Sequence, residues 1–186
     1  MSLAAAATLF GACLPALADE ATAEGFPPAQ NLDYYHVPGP DMATDGTAAP
    51  AGVGSQYLFL AGSAFTPRTS AQTVSYPGGG CTYSSDWIIS SLDLPGGTEI
   101  LGVRLFYFNS GSAGSVAMNL FSYTGDGNFN LALSGNSTLN TGYSSDYFPF
   151  PDGSPLVIDN ISNSYALLGS MSVNLRLCGM RVFYTP

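Results

Sequence analysis

From Ser55 to the end of the chain, short runs of β-branched, aromatic and other apolar residues are separated by Gly, Pro, Asn and Ser. Turn signals recur about every 8 to 12 residues, which is typical of an all-β domain. No run of apolar positions keeps a helical period for more than about two turns. The pattern therefore predicts strands at 56–62, 72–76, 81–91, 99–109, 115–123, 129–134, 156–159, 164–170 and 173–184.

The clearest alternation is in two of these strands. Strand 99–109 divides its side chains between two faces, with Leu101, Val103, Leu105 and Tyr107 on one and Arg104, Phe106 and Phe108 on the other. Strand 115–123 continues the alternation after a short Gly- and Ser-rich loop, and we predict that these two strands form a hairpin with a loop of about five residues. Strand 173–184 has apolar residues on both faces, which predicts a central position in a sheet.

About eight or nine strands in roughly 130 residues predict one domain over 55–186. We expect an antiparallel two-sheet β-sandwich with a jelly-roll-like topology. At 46% hydrophobic and 12% aromatic residues, the composition supplies ample material for its core.

The first 54 residues have a different pattern. Small and apolar residues fill positions 3–17, and Ala16, Leu17 and Ala18 have the small-x-small form of a signal-peptidase site, so 1–18 is interpreted as a signal peptide. No positive residue precedes the apolar run, which keeps a retained segment open, and FGAC at 10–13 loosely resembles a lipobox, which keeps lipidation at Cys13 open.

Residues 19–54 contain six acidic residues and five prolines with little apolar periodicity. A segment of this composition cannot offset its ordering entropy by burial alone. We interpret 19–54 as an extended, acidic arm or linker that precedes the domain, with Tyr34 and Tyr35 as anchors for a partner.

Charge narrows the range of partners. The net charge is −9, Lys is absent and four Arg are present, so nucleic acid would be repelled. Cleavage of the signal peptide would remove Cys13 and leave Cys81 and Cys178, 97 positions apart. An even number of cysteines in an exported protein favours a disulfide between them, with two buried free thiols as the alternative.

The folding signals of the second half resemble those of a known group. The loop 94–97 reads LPGG, the strand 105–110 reads LFYFNS, the next strand reads VAMNLF at 116–121, and the last reads LCGMRVFY at 177–184. Over roughly residues 81–186 this is similar to uncharacterised exported bacterial β-sandwich proteins. The resemblance implies the fold and export, and it implies no activity.

Residues for common catalysis are scarce. Without Lys there is no Schiff base or phosphate-loop lysine, and the one histidine, His36, lies in the arm. No G-x-S-x-G or C-x-x-C motif is present, so no metal and no cofactor is predicted. GDGN at 125–128 is interpreted as a hairpin turn rather than part of a calcium loop. The remaining acids of the domain lie mostly beside turn residues and are interpreted as turn formers, namely Asp86, Asp93, Glu99, Asp146, Asp152 and Asp159.

The segment 143–150, YSSDYFPF, is aromatic but breaks strand periodicity. An exposed aromatic patch usually marks a contact, so the candidate partner-binding residues are Tyr143, Tyr147, Phe148 and Phe150, together with Tyr34 and Tyr35 of the arm.

Three functions follow from these features. The first is an exported structural or assembly subunit, at the cell surface or in an extracellular complex, which acts through protein–protein contacts and is not an enzyme. The second is a carbohydrate-binding module that stacks sugars on Tyr83, Trp87, Tyr143 or Tyr147. The third is a glycan-active enzyme that uses two of the carboxylates.

Overall fold

A computed structural model describes residues 55–151 and 154–186, which form two antiparallel β-sheets packed face to face. The predicted all-β sandwich is therefore confirmed. The described residues all belong to one compact unit. The signal peptide predicted at 1–18 and the arm predicted at 19–54 lie outside the described residues.

The larger sheet contains seven strands of the described residues. These are β1 Gln56–Ala61, β3 Val74–Gly78, β4 Cys81–Ser84, β6 Glu99–Asn109, β9 Gly142–Pro149, β10 Leu156–Val157 and β12 Leu175–Thr185. The smaller sheet contains five, β2 Thr66–Pro67, β5 Ile88–Ser91, β7 Val116–Thr124, β8 Phe129–Asn136 and β11 Asn163–Met171. One 3₁₀ turn, Gly62–Ala64, follows β1.

The strand order is that of a jelly roll. In the larger sheet β4, β12, β6 and β9 lie side by side, and in the smaller sheet β5, β11, β7 and β8 do so. Except at the β7–β8 hairpin, the chain passes from one sheet to the other between successive members of these two sets, which is the double Greek-key path of a jelly roll. β1 and β3 extend the larger sheet beyond this framework.

The core lies between the sheets and is built by the inward side chains of the central strands. Strand β6 contributes Ile100, Val103, Leu105 and Tyr107, all fully buried. Met118 and Leu120 of β7, Leu167 of β11 and Met180 and Val182 of β12 meet them. A β-bulge opposite Phe183 and Tyr184 shifts the alternation of β6, so that Ile100 rather than Leu101 shares the buried face with Val103.

The position predicted for the last strand is confirmed. β12 pairs with β6 on one side and with β1 and β4 on the other, so it is a central strand of the larger sheet.

The predicted hairpin between 99–109 and 115–123 is wrong. β6 pairs with β9, β10 and β12 in the larger sheet, whereas β7 pairs with β8 and β11 in the smaller sheet. The side-chain amide of Asn109 donates to the carbonyl of Ser112, and its oxygen accepts from the backbone N–H of Gly111 and Ser112, which shapes the loop that crosses between the sheets. Two consecutive strands that each have one apolar face show the same alternation of apolar and polar residues whether they pair as a hairpin or lie in opposite sheets.

Two strand boundaries also differ from the prediction. The run 81–91 is divided into β4 and β5, which belong to opposite sheets. The segment 142–149, predicted to lie outside the strands, forms β9 beside β6. Its inner positions include Asp146 next to Phe148, so a polar residue interrupts the apolar alternation.

The predicted disulfide is confirmed. Cys81 and Cys178 are joined with an S–S distance of 2.06 Å and a Cα–Cα distance of 3.8 Å. The bond connects β4 to β12, which are neighbours in the larger sheet. Disulfides persist in oxidising compartments, so the bond indicates that the domain folds in such a compartment. No helix among the described residues is long and apolar enough to span a membrane.

Candidate functional site

The side of the larger sheet that faces away from the core carries an unusual set of side chains. β6 and β12 each alternate, so the residues between their core positions point to this side. We call it the arginine–aromatic face, and its members are Tyr57, Phe59, Arg104, Phe106, Phe108, Tyr143, Ser145, Tyr147, Arg176, Arg181 and Phe183.

Three of the four arginines lie on this face, and each stacks on aromatic rings. The guanidinium carbon of Arg104 is 5.4 Å from the ring centre of Tyr147, and that of Arg176 is 5.2 Å from the ring centre of Phe108. Arg181 lies 4.9 Å from the ring of Tyr57. Such cation–π contacts stabilise cations that are partly removed from water.

At one end of the face, two arginines lie side by side. Arg181 of β12 and Arg104 of β6 are direct cross-strand partners, and only 8% and 3% of their surfaces are exposed. Arg104 Nη1 donates to Ser145 Oγ over 3.3 Å. Among the described residues, Nε and Nη1 of Arg181 have no hydrogen-bond acceptor.

This arrangement is electrostatically costly. Burial is the largest effect on Arg181 and lowers the pKa of its guanidinium; Tyr57 opposes this effect, and the charge of Arg104 adds to it. Like charges directly opposite each other on neighbouring strands destabilise a sheet. The aromatic rings around the pair offset part of that cost.

At the other end, the face opens into a groove of about 330 Å³, which we call the Phe108 groove. Tyr143 stands beside it with 47% of its surface exposed, and its ring centre is 4.9 Å from that of Phe108. Both polar and apolar residues line the groove. Its lining residues are Ser75, Pro77, Tyr83, Phe108, Ser110, Val173, Asn174, Leu175 and Arg176.

The structure divides the predicted partner-binding residues. Tyr143 and Tyr147 lie on the arginine–aromatic face, whereas Phe148 and Phe150 pack against the core. Tyr34 and Tyr35 lie outside the described residues. Trp87, named with the sugar-stacking candidates, precedes β5 of the smaller sheet, while Tyr83 lines the Phe108 groove.

The arginines are not among the site residues that the sequence predicts. The signal that could have found them is their position, since Arg104, Arg176 and Arg181 all lie in the two strands with the most regular alternation. The alternation of strand 99–109 predicts that Arg104 lies on the same face as Phe106 and Phe108.

Three of the carboxylates in the described residues shape their own turns. Asp86 accepts from the N–H of Trp87, Asp126 accepts from the hydroxyl of Thr124, and Asp159 accepts from the N–H groups of Ile161 and Ser162. These hydrogen bonds, and for Asp159 first of all a hydrogen bond with the side chain of Ser162, hold the pKa of each carboxyl below its usual value. The interpretation of 125–128 as a hairpin turn is confirmed, because it joins β7 to β8.

The other acids have local roles as well. Asp146 is buried and accepts from the N–H of Thr138 over 2.6 Å, and Glu99 accepts from the hydroxyl of Thr185. Asp93 is exposed, and Asp152 lies outside the described residues. Within 55–151 and 154–186, no three His, Cys, Asp or Glu residues are grouped so that they could hold a metal ion.

A second aromatic surface lies on the smaller sheet. The rings of Phe121, Tyr123 and Phe129 contact one another near the β7–β8 turn, and Phe129 is 65% exposed. This cluster contains no arginine, which distinguishes it from the arginine–aromatic face.

Comparison with known proteins finds distant structural similarity only. No family model matches the chain, and no curated protein matches it. Among solved structures, an isomalto-dextranase from Arthrobacter globiformis T6 complexed with panose gives a TM-score of 0.35 at 10% identity, over 69% of this chain and 23% of that one. The infectious bursal disease virus Gx strain gives 0.32 at 12%, and the Gt strain 0.31 at 14%, each over 70% of this chain and 33% of the other.

The chain thus spans between 23% and 33% of the length of these solved chains. The described residues themselves define an acidic jelly-roll domain with one disulfide and a cationic, aromatic outer face.

Proposed function

We propose that this protein is an exported structural or assembly subunit that acts through protein–protein contacts, at the cell surface or in an extracellular complex. The contact surface is the Phe108 groove together with Tyr143. The role is one of binding rather than catalysis.

The observation that carries the proposal is the stack formed by Tyr143, Phe108 and Arg176. Arg176 lies over one ring of an aromatic pair whose other member, Tyr143, is about half exposed. Tyr, Phe and Arg are the residues enriched in the central parts of protein interfaces, and Lys and Glu are depleted there. A lysine-free chain that groups its arginines with aromatic rings matches that composition.

The groove also offers the polar rim that such interfaces need. Ser75, Ser110 and Asn174 border it, and Val173 is exposed at its edge. A partner that inserts an apolar side chain would find hydrogen-bonding groups around the insertion point. The disulfide between Cys81 and Cys178 supports export, because the compartment must be oxidising.

Native mass spectrometry of the protein from its source would test the proposal. We expect an assembled species, formed with itself or with another subunit, that is lost or at least about tenfold weaker in Tyr143→Ala and Arg176→Ala. Phe129→Ala is the control, since it removes an exposed ring from the smaller sheet, 65% exposed against 47% for Tyr143. A monomer at all concentrations, or equal weakening by the control, would contradict the proposed contact surface.

Carbohydrate binding is the second candidate, and one feature of the groove favours it. Tyr83 and Phe108 supply aromatic rings, and Asn174 and Arg176 supply hydrogen-bond donors at the rim. Retention on a glycan column that is lost in Tyr83→Ala, with no assembled species in the mass spectrum, would favour this function over the first.

The glycan-active alternative rests on a pair of carboxylates. Such a pair must stand about 5 to 9.5 Å apart with both groups free to act on a substrate. Asp86, Asp126 and Asp159 are engaged by their own turns, and Asp146 is buried against Thr138. No observation among the described residues favours this alternative.

A further inference from the structure

A trough runs along the outer side of the smaller sheet, with β11 as its floor. The outward residues of β11 here are Ser164 and Ala166, because the alternate residues Tyr165 and Leu167 belong to the core. Both outward residues are small, so the side chains on either side rise above them. The trough has a volume of about 410 Å³, and a hollow of about 250 Å³ beside it shares three of its residues. We call it the Ser164 trough, and its lining includes Ser91, Asp93, Tyr123, Asn163, Ser164 and Ala166.

One wall of the trough is aromatic. Tyr123 of β7 lies opposite Ser164, and Phe129 of β8 lies opposite Tyr123. The ring centres of Tyr123 and Phe129 are 6.3 Å apart, so the aromatic wall continues from the trough onto the β7–β8 hairpin. The faces of such rings carry partial negative charge, which attracts the C–H groups on the flat side of a sugar ring.

The opposite wall carries a carboxylate. The N–H of Leu92 donates to the carbonyl of Tyr165 over 2.9 Å, which extends the pairing of β5 with β11 by one residue. Asp93 is the next residue, so it lies beside Ser164, and it is exposed whereas Leu92 is buried. Neighbouring strands are about 4.8 Å apart, so the backbones of the two walls are about 10 Å apart across the single floor strand. A ligand on the floor can therefore contact both walls.

The polar groups of the trough are not used by the fold. Five of the six side-chain carboxylates in the described residues accept hydrogen bonds within the domain, and Asp93 is the sixth, which accepts none there. The side-chain amide of Asn163 and the hydroxyls of Ser91 and Ser164 also have no hydrogen-bond partner within 55–151 and 154–186. Together they offer a charged acceptor, an amide that donates and accepts, and two hydroxyls.

The charge of the trough limits the class of ligand. No arginine lines it, and the chain has a net charge of −9 and no lysine. A phosphate or an acidic sugar would therefore meet a carboxylate and no counter-charge. A carboxylate accepts strongly from O–H donors, and an amide can serve a neighbouring hydroxyl. A neutral saccharide fits both walls, because it has an apolar flat side and a rim of hydroxyls.

We propose that the Ser164 trough binds a neutral saccharide. One sugar ring lies on the face of Tyr123, and its hydroxyls are hydrogen-bonded to Asp93 and Asn163. The next sugar along the chain lies towards Phe129. The site is on the opposite sheet from the Phe108 groove, so this inference does not depend on the proposed function or on the carbohydrate candidate at that groove.

Titration of the ¹⁵N-labelled full chain with oligosaccharides tests the inference. The probes are the hexasaccharides of glucose, mannose, galactose, xylose and N-acetylglucosamine. We expect at least one of them to shift the side-chain amide signal of Asn163 until it saturates, with a Kd of about 1 mM or tighter. The matching monosaccharide should bind at least about tenfold more weakly, since it cannot reach Phe129 as well as Tyr123.

Substitutions in the two walls and the floor locate the site. Asp93→Ala removes the carboxylate and Ser164→Leu fills the floor, so each should weaken binding at least about tenfold. Both residues are exposed, and the denaturation midpoint verifies that both variants fold. Phe129→Ala should reduce the advantage of the hexasaccharide over the monosaccharide. Tyr143→Ala is the control on the larger sheet; it should leave saccharide binding unchanged, whereas it should weaken the assembly proposed above.

Four results would overturn the inference. One is the absence of a saturating shift with all five hexasaccharides. Another is an unchanged Kd in Asp93→Ala or Ser164→Leu. The third is binding that is lost in Tyr143→Ala and kept in the trough variants, since the saccharide would then occupy the Phe108 groove. The fourth is tighter binding of methylammonium than of any saccharide, since the carboxylate and the ring would then form a site for a cation.

Discussion

Arg104 and Arg181 lie directly opposite each other on the two central strands of the larger sheet, and both are buried on its outer side. The rings of Tyr147 and Tyr57 lie against their guanidinium groups. The outer side of this sheet is thus a second, cationic layer of packing, separate from the apolar layer between the sheets. Its titratable members should give the domain a measurable dependence on alkaline pH.

Tyr147 should make the domain less stable at alkaline pH. Burial raises the pKa of its hydroxyl to about 12 from 10.0, and the charge of Arg104 opposes this only in part. The folded state favours the neutral form of the Tyr147 hydroxyl. The contribution of Tyr147 to the stability of the domain is therefore fully present below pH 10 and is lost as the pH rises from 10 through about 12. Tyr147→Phe should therefore lose less stability than the unmodified protein in this range.

Denaturation midpoints at about pH 8 and pH 11 measure this difference. At the lower pH the loss of the hydrogen bond from Tyr147 to the carbonyl of Leu101 contributes to the difference between the two proteins. Parallel alkaline losses in both proteins would show that another group is responsible.

The disulfide should contribute strongly to stability because of the length of chain that it closes. Cys81 and Cys178 are separated by 97 positions, and constraining a loop of that length stabilises by about 4 to 5 kcal/mol in the chain-entropy model. We expect Cys81→Ser/Cys178→Ser to lose most of this amount in a denaturant titration of the oxidised proteins. A loss below about 1 kcal/mol would mean that the unfolded chain is already constrained.

The strands with regular alternation can be predicted from the sequence. The sheet to which each of these strands belongs cannot. β6, β7, β11 and β12 were predicted to within two residues because each has one continuous apolar side. Period-two alternation shows which side of a strand is buried but not which strand lies beside it. The sequence therefore predicts a hairpin of β6 and β7, although the two strands belong to opposite sheets.

The two features that define the site depend on pairings between distant parts of the chain. The pairing of Arg181 with Arg104 is set by the register of β12 on β6, which no local pattern records. β9 was missed because Asp146 occupies an inward position, where it is satisfied by Thr138 from outside the strand. A buried polar residue with a distant partner breaks an apolar pattern without breaking the strand.

Asp146 should be among the more sensitive polar residues of the domain. Its carboxylate accepts from Thr138 N over 2.6 Å and from Thr138 Oγ1 over 3.2 Å, and Tyr107 contacts that same hydroxyl. Asp146→Ala leaves these donors without their acceptor, and we expect a loss of about 2 kcal/mol in the free energy of unfolding. Asp93→Ala, an exposed control, should change it by less than about 0.5 kcal/mol. Equal effects of the two substitutions would show that the Thr138 contacts are replaced by water at no cost.

Gly179 should not tolerate a side chain, because Phe59 and Leu60 of the neighbouring strand β1 lie close to its Cα. A Cβ at this position would stand 2.6 Å from Cζ of Phe59 and 2.8 Å from the carbonyl oxygen of Leu60. Phe59 could rotate away, but only by leaving its edge-to-face contact with Phe106 and its place beside Arg181, and the backbone of Leu60 is held by its pairing with Met180. Overpacking of this kind costs about 1 to 3 kcal/mol, so Gly179→Ala should lower the free energy of unfolding by that amount. Gly96→Ala is the matched control, since a Cβ there meets nothing within 4 Å, and it should be close to neutral. If both alanine variants unfold at the same denaturant concentration as the unmodified protein, β1 does not hold its place against β12 in solution.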